Sequence, residues 1–278
     1  MSAPNGATSA PALDEGPALD GQYDAEQIRL MEERLIIVDN DDNPLGDGSK
    51  KECHLMTNIM PPRSLLHRAF SAFVFRPSDG RLLLQRRADE KITFPGMWTN
   101  TCCSHPLYVP SEMDRSDHEI GARRAAQRKL DHELGIKPAQ LPLDRFVFLT
   151  RIHYLAPSSG IWGEHEIDYV LFTTADVDLD INLNEVSDTK WVDKAELEAL
   201  FADTTLTFTP WFKLIAKSFL YRYWDALLAR TRAQQLLEGT APDAPAHQNG
   251  TKPPIAADIA VMHDLVTDEE RATIHRML

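Results

Sequence analysis

The segment SDHEIGARRAAQRKLDHELGI, residues 116–136, decides the architecture. It is rich in alanine and reads as a helix. Ser116, with Glu119 three residues on, has the pattern of a capping box. Gly135 falls just past the last helical position, where a left-handed cap is common. Lys129 and Glu133 lie four residues apart and share one face. Two readings stay open for that pair: a surface ion pair, or a carboxylate that holds a metal beside a lysine that meets an anion.

Strand patterns flank this helix. Upstream, HRAFSAFVFRPSDGRLLLQRRA (67–88) has two apolar runs around a Pro-Ser-Asp-Gly turn and reads as a hairpin. QIRLMEERLIIVDNDDNPLGDGSKKECH (27–54) reads as a strand, a turn at 40–43 and a return. Downstream, RFVFLTRIHYLA, EIDYVLFTTA and EVSDTKWVD are strand-like, and KAELEALFAD is a short helix. A long helix runs over 209–237, with Thr209 as N-cap and Pro210 at its first position. Strands and helices mix without regular β-α-β alternation. The fold class is therefore α/β of the α+β kind, a mixed β-sheet sandwiched between helices. Residues 1–22 read as a disordered leader, 23–237 as the main folded domain, 238–256 as a flexible linker and 257–278 as a helical tail. In that tail Thr267 and Glu270 suggest another capping box.

The chain has 278 residues, 43% of them hydrophobic, enough for one sizeable core. Its net charge of -13 excludes a general basic footprint for nucleic acid, though a pocket can still gather basic groups for an anion. No apolar run approaches the ~20 residues that span a bilayer. The N-terminus lacks the basic start and apolar core of a secretory signal. Three cysteines, two of them adjacent, do not make a disulfide scaffold. A reducing, cytoplasmic setting is expected, and the C-terminal tripeptide is not the standard peroxisomal signal.

Chemistry-bearing residues cluster in a few strings. In WGEHEID, Glu164 and Glu166 are two apart and, on a strand, project to one face. Two such carboxylates repel unless a cation or shared proton relieves them. With His54, His67 and His105 they could form an octahedral site for a divalent metal, or be five unrelated residues. In TFPGMWTNTCCSHP (93–106) Cys103 stands two residues before His105. It could be a ligand, a nucleophile, an acid or base, or a packed thiol, and packing is the favoured reading for Cys102. Arg86, Arg87 and Lys91 precede that loop, and Lys50 and Lys51 precede His54. They suggest an anionic group such as a diphosphate, or ordinary surface charge. Tyr154 and Trp211 could line an apolar pocket or sit in the core.

Together the strings LLHRAFSAFVF (65–75), KITFPGMWTNTCCSHP (91–106), RKLDHELGI (128–136), WGEHEIDY (162–169) and FTPWFK (208–213) resemble the type 1 isopentenyl-diphosphate delta-isomerase family. The resemblance runs from about residue 27 to about residue 224, and the IHRML ending is similar to fungal members. It implies a Nudix-type fold. The hydrolytic Nudix box reads G-x5-E-x7-R-E-U-x-E-E-x-G-U, where U is aliphatic. Arg128, Leu130, Glu133, Gly135 and Ile136 fit it. Lys129 and His132 stand where two glutamates belong, while Asp114 and Ile120 replace the upstream Gly and Glu. A Nudix hydrolase of a small diphosphate, the alternative reading, needs the carboxylates that this box has lost.

The resemblance implies interconversion of isopentenyl and dimethylallyl diphosphate through a tertiary carbocation, in isoprenoid and sterol biosynthesis. It implies catalysis by Cys103 and Glu166, with Tyr154 beside the acid and Trp211 facing the cation. It implies His54, His67, His105, Glu164 and Glu166 as ligands of a divalent metal (magnesium, manganese or zinc). Glu133 would hold a second ion, magnesium, that arrives with the diphosphate. Lys50, Arg87, Lys91, Ser104 and Lys129 would bind substrate, Lys129 replacing a frequent arginine. The expected partner is a small allylic or homoallylic diphosphate, with no nucleic acid, no membrane span, and a monomer or weak dimer.

Overall fold

The computed structural model describes residues 12–238 and 266–278. A short helix α1 (Ala25–Leu30), N-capped by the Asp24 carboxylate, leads into a hairpin of β1 (Arg34–Val38) and β2 (Pro44–Ser49). The hairpin matches the sequence reading, but the expected strand over 27–30 is helical. Residues 12–22, expected as disordered leader, are packed: Asp14 and Asn58 exchange hydrogen bonds of 2.9 and 2.8 Å, and Leu19 is buried against Leu55 and Trp162. One buried leucine contributes about 1.5–3 kcal/mol, which offsets the ordering of one or two residues. The expected linker lies outside the described residues except for Glu238.

Two one-turn helices follow, α2 (Lys50–His54) and α3 (Met56–Ile59). Next come β3 (Leu66–Phe75), β4 (Leu82–Arg87), β5 (Trp98–Thr99) and β6 (Cys102–Ser104). The β3–β4 hairpin holds only at its base, where Phe75 faces Leu82. Beyond that point the strands diverge: β3 pairs β6, while β4 turns away to pair β5.

The helices α4 (Pro110–Met113) and α5 (Ser116–Leu134) come next. Gly135 caps α5 at φ 70°, as expected. The N-terminal capping box does not form. Asp117, His118 and Glu119 take left-handed backbone angles, the Ser116 hydroxyl donates to Asp114 at 2.6 Å, and Glu119 is held by Arg115 at 2.9 Å.

Long strands β7 (Val147–Pro157), β8 (Gly163–Thr174) and β9 (Val186–Val192) follow, then α6 (Lys194–Ala202) and α7 (Pro210–Ile215). Thr209 is the N-cap position of α7, but its side chain makes no cap bond. A π-helical turn, Ala216–Leu220, joins α7 to α8 (Tyr221–Glu238). The tail carries one helical turn, α9 (Asp268–Ala272), whose Thr267 caps Glu270 N. It then enters a strand, β10 (Ile274–Arg276), where only helix was expected. That strand pairs in parallel with β7 and covers its edge.

The central order is β10-β7-β8-β3-β1-β2, with β8 parallel to β3 and antiparallel to β7. One face packs on α5 through Ala122, Ala125, Leu130 and Leu134. The other packs on α7, the π-helical turn and α8 through Phe212, Ile215, Leu220 and Trp224. Every residue of β3 and β8 is buried, as in a sheet covered on both sides. The turn of the β1–β2 hairpin is tied to the sheet by Asp42. Its carboxylate accepts from Arg68 at 2.6 Å and Arg151 at 2.8 Å, two paired charges in a buried setting.

Candidate active site

Strand alternation builds the site. Glu164 and Glu166 project to the α7–α8 face of β8, two residues apart. In the next strands Tyr154 stands opposite Glu166 on one side and His67 on the other. The Tyr154 hydroxyl donates to Glu166 Oε2. His105 follows β6, and His54 ends α2, which a Ser49–Glu52 capping box holds in place. The three imidazoles form a near-equilateral triangle with ring centres 4.9, 4.9 and 5.0 Å apart.

The five residues His54, His67, His105, Glu164 and Glu166 are all buried, and their ligand-type atoms lie within 4.8 Å of one another. His54 donates from Nδ1 to the Lys50 carbonyl at 2.6 Å, which turns Nε2 inward toward the cluster. His54 Nε2 is 2.7 Å from Glu164 Oε2, yet neither atom makes a hydrogen bond, and both His67 nitrogens and His105 Nδ1 are equally orphaned. Buried polar atoms without partners are costly. Three imidazoles and two carboxyl groups converging on one point suit a divalent cation, so the donor set fits a metal site. Burial holds His67 below its ordinary value, and His105 well below. Neutral imidazole is the form that ligates.

Beside this cluster lies a narrow pocket, lined by Cys103, Tyr154, Glu166 and Trp211 and by Lys50, Arg87, Lys91 and Ser104. The alternation of β6 sends its two cysteines apart. Cys102 points away from the pocket into the α5 side, where its thiol lies 3.6 Å from Glu133 Oε2. Cys103 points into the pocket. Burial pushes its thiol up to about 12, opposed by the Arg87 guanidinium, whose Nη1 is 3.6 Å from Sγ. Arg87 is itself pinned by its Nε and Nη2 to the carbonyls of Phe94 and Thr93, at 3.0 and 2.7 Å. Tyr154 is raised well above its ordinary value by burial and by Glu166. For Glu166 burial raises the carboxyl, but the nearby His67 ring, 3.3 Å away, the Tyr154 hydroxyl and the adjacent Glu164 outweigh it and hold the group low. Trp211 packs edge-on to Phe94 at 5.1 Å, with the Arg87 guanidinium 5.8 Å from its ring centre.

Lys129 and Glu133 stand on the far side of β6, outside the pocket wall. Lys129 Nζ is 3.3 Å from Glu133 Oε1 and 3.2 Å from His132 Nδ1. Both residues are buried, which removes the surface-pair reading. Glu185 was not singled out by its sequence, because an acid at the head of a strand carries no spacing signal. It is 1% exposed and forms a very short ion pair with Lys91. Its other oxygen accepts from Gln27 of α1 at 3.2 Å. Lys91, Lys129 and Lys50 together hold the Glu185 carboxyl well below the usual range, against the effect of burial. Lys50 is lowered to about 8 by burial and by repulsion from Lys91 and Lys129. The arrangement is a buried cationic wall next to a thiol, a Tyr–Glu pair and an aromatic face.

Comparison with known proteins agrees with this architecture. The NUDIX domain model matches residues 65–212. The isopentenyl-diphosphate delta-isomerase of Phaffia rhodozyma is 62% identical over 230 residues, which span 83% of this chain and 91% of that protein. The Gibberella zeae protein of that name is 59% identical, over 78% of this chain and 85% of its own length. The one from Bos taurus is 51% identical, over 73% of this chain and 89% of its own.

Proposed function

Because this chain belongs to the isopentenyl-diphosphate delta-isomerase family, built on the NUDIX domain, we propose that it interconverts isopentenyl and dimethylallyl diphosphate. The reaction adds a proton to one alkene carbon and removes a proton from another. It needs an acid and a base on opposite sides of the hydrocarbon and a dry pocket between them.

One observation carries the reading: a single small pocket contains Cys103, the Tyr154–Glu166 pair and Trp211, next to Lys50, Arg87 and Lys91. In the forward direction the Tyr154–Glu166 pair supplies the proton. Cys103 takes the proton that leaves, for which it must first give up its own; the Arg87 guanidinium favours that thiolate against the burial that holds the thiol protonated. In reverse the thiol is the donor. Trp211 offers its ring to the tertiary cation, an attraction of about 2 kcal/mol or more when desolvated. Lys50, Arg87, Lys91 and Ser104 grip the diphosphate. Lys129 and Glu133 would act from behind β6, where Glu133 would hold a magnesium ion that enters with the substrate. The His/Glu cluster would hold a divalent ion, magnesium, manganese or zinc, which supplies fixed positive charge that orients Glu166 and tunes its acidity. The proposal places the protein in isoprenoid and sterol synthesis, as a cytoplasmic monomer or weak dimer.

The test is phosphorus NMR of purified protein with magnesium and isopentenyl diphosphate. The diphosphate should persist while the carbon chain rearranges. Release of inorganic phosphate or a monophosphate would instead support hydrolysis of a small diphosphate.

A further inference from the structure

Asn100 lies in the turn between β5 and β6 and is fully buried. Its side chain makes four hydrogen bonds. Oδ1 accepts from Trp211 Nε1 at 3.2 Å and from Thr99 Oγ1 at 2.9 Å. Nδ2 donates to the carbonyls of Ala72 at 3.1 Å and Cys102 at 2.9 Å. Two donors on one end and two carbonyls on the other leave only one orientation of the amide. Thr99 gives its one proton to Asn100, so Thr209, 2.7 Å away, donates to Thr99. That network also ties down the N-cap position of α7, two residues before Trp211.

We propose that Asn100 is a positioning residue of the isomerisation, fixing the indole face of Trp211 relative to the Cys103 thiol. This rests on the isomerase reading above. The reason is geometric. Asn100 grips the only polar atom of the indole and, at its other end, the carbonyl of the residue before Cys103. Three elements, β3, β6 and α7, are therefore set against one another by one amide. The ring attracts a cation that exists only after protonation, and that attraction depends on where the face points. Misalignment should therefore slow turnover without weakening diphosphate binding. None of the four bonds involves a basic residue of the pocket.

The experiment is a double-mutant cycle of Asn100→Ala and Trp211→Phe, read as kcat and KM for isopentenyl diphosphate. Asn100→Ala alone should lower kcat about tenfold, the effect of about one hydrogen bond, and leave KM within about twofold. In the Trp211→Phe background, where no N–H remains, the same change should cost clearly less than about tenfold, the remainder coming from the Ala72 and Cys102 carbonyls left unpaired. Equal losses in both backgrounds, or a loss carried by KM, would overturn the proposal. A second variant, Trp211→3-benzothienylalanine, keeps both the ring and Asn100 and removes only the N–H. It should reproduce the tenfold loss, and wild-type kcat in it would overturn the proposal even where Asn100→Ala fails to fold. A wild-type chain that does not isomerise the substrate removes both readings. Wild-type turnover with kcat insensitive to Asn100 removes this one alone.

Discussion

Replacing Glu185 with glutamine tests the charge balance behind the cationic wall. The carboxylate is 1% exposed and its partner Lys91 8% exposed. Removing one partner of a buried ion pair leaves the other charge uncompensated, at a cost of about 3–5 kcal/mol. Glutamine keeps a hydrogen-bonding carbonyl for Lys91, which places the expected loss near the lower end, about 3 kcal/mol. With a urea m-value of about 3 kcal/mol/M, the midpoint should fall by about 1 M. The sign with pH follows from the depressed carboxyl. Its stabilisation is present above the unfolded-state value, near 4.3, and is lost as pH falls toward the much lower folded value. The gap between wild type and variant should therefore be full at pH 7 and shrink only below about pH 4. Urea melts at pH 7 and at about pH 3, below the unfolded-state value, measure both. Equal midpoints at pH 7 would refute the reasoning, since Lys91 would then be shown not to depend on Glu185. The variant should also bind inorganic diphosphate differently, because Lys50 and Lys129 face the same carboxylate.

Cys103→Ala should lower kcat by at least about a thousandfold while the urea midpoint stays near wild type, because only a half-buried thiol is lost. Stripping divalent ions with a chelator should lower the melting temperature, and Glu164→Gln should abolish that response. An identical melting curve with and without chelator would contradict a metal at the His/Glu cluster. Gly135→Ala should destabilise the fold by more than about 2 kcal/mol. It combines a φ of 70° with a Cβ that would sit 2.5 Å from the Asp180 carbonyl oxygen. Gly160→Ala, at φ 61° with nothing within 4 Å, should cost about 1 kcal/mol, and equal losses at the two sites would exclude the steric account.

The elements legible in the sequence are those whose signal is local and periodic. Gly135, the β1–β2 hairpin and the two glutamates on one face of β8 follow from spacing two, three or four residues apart. The convergence of His54, His67 and His105 does not follow from spacing, since they come from α2, β3 and the end of β6. The family resemblance supplied what periodicity left open. Local signals were also overridden. Ser116 and Glu119 have the right spacing for a cap, but Asp114 and Arg115 bind them first. The real capping box upstream, Ser49 with Glu52, hides inside a lysine-rich turn. Residues 274–276 are too short to show strand alternation and become a strand by pairing with the exposed edge of β7. Glu185 and Asn100 were silent because their importance lies in what they touch, and none of those contacts is visible in composition or spacing.

The most direct measurement of the central claim is proton NMR of the purified protein with magnesium and isopentenyl diphosphate in heavy water. The account predicts dimethylallyl diphosphate with deuterium in the newly formed methyl group, from one proton added and another removed. Product without deuterium, or unchanged substrate in the presence of bound metal, would contradict it.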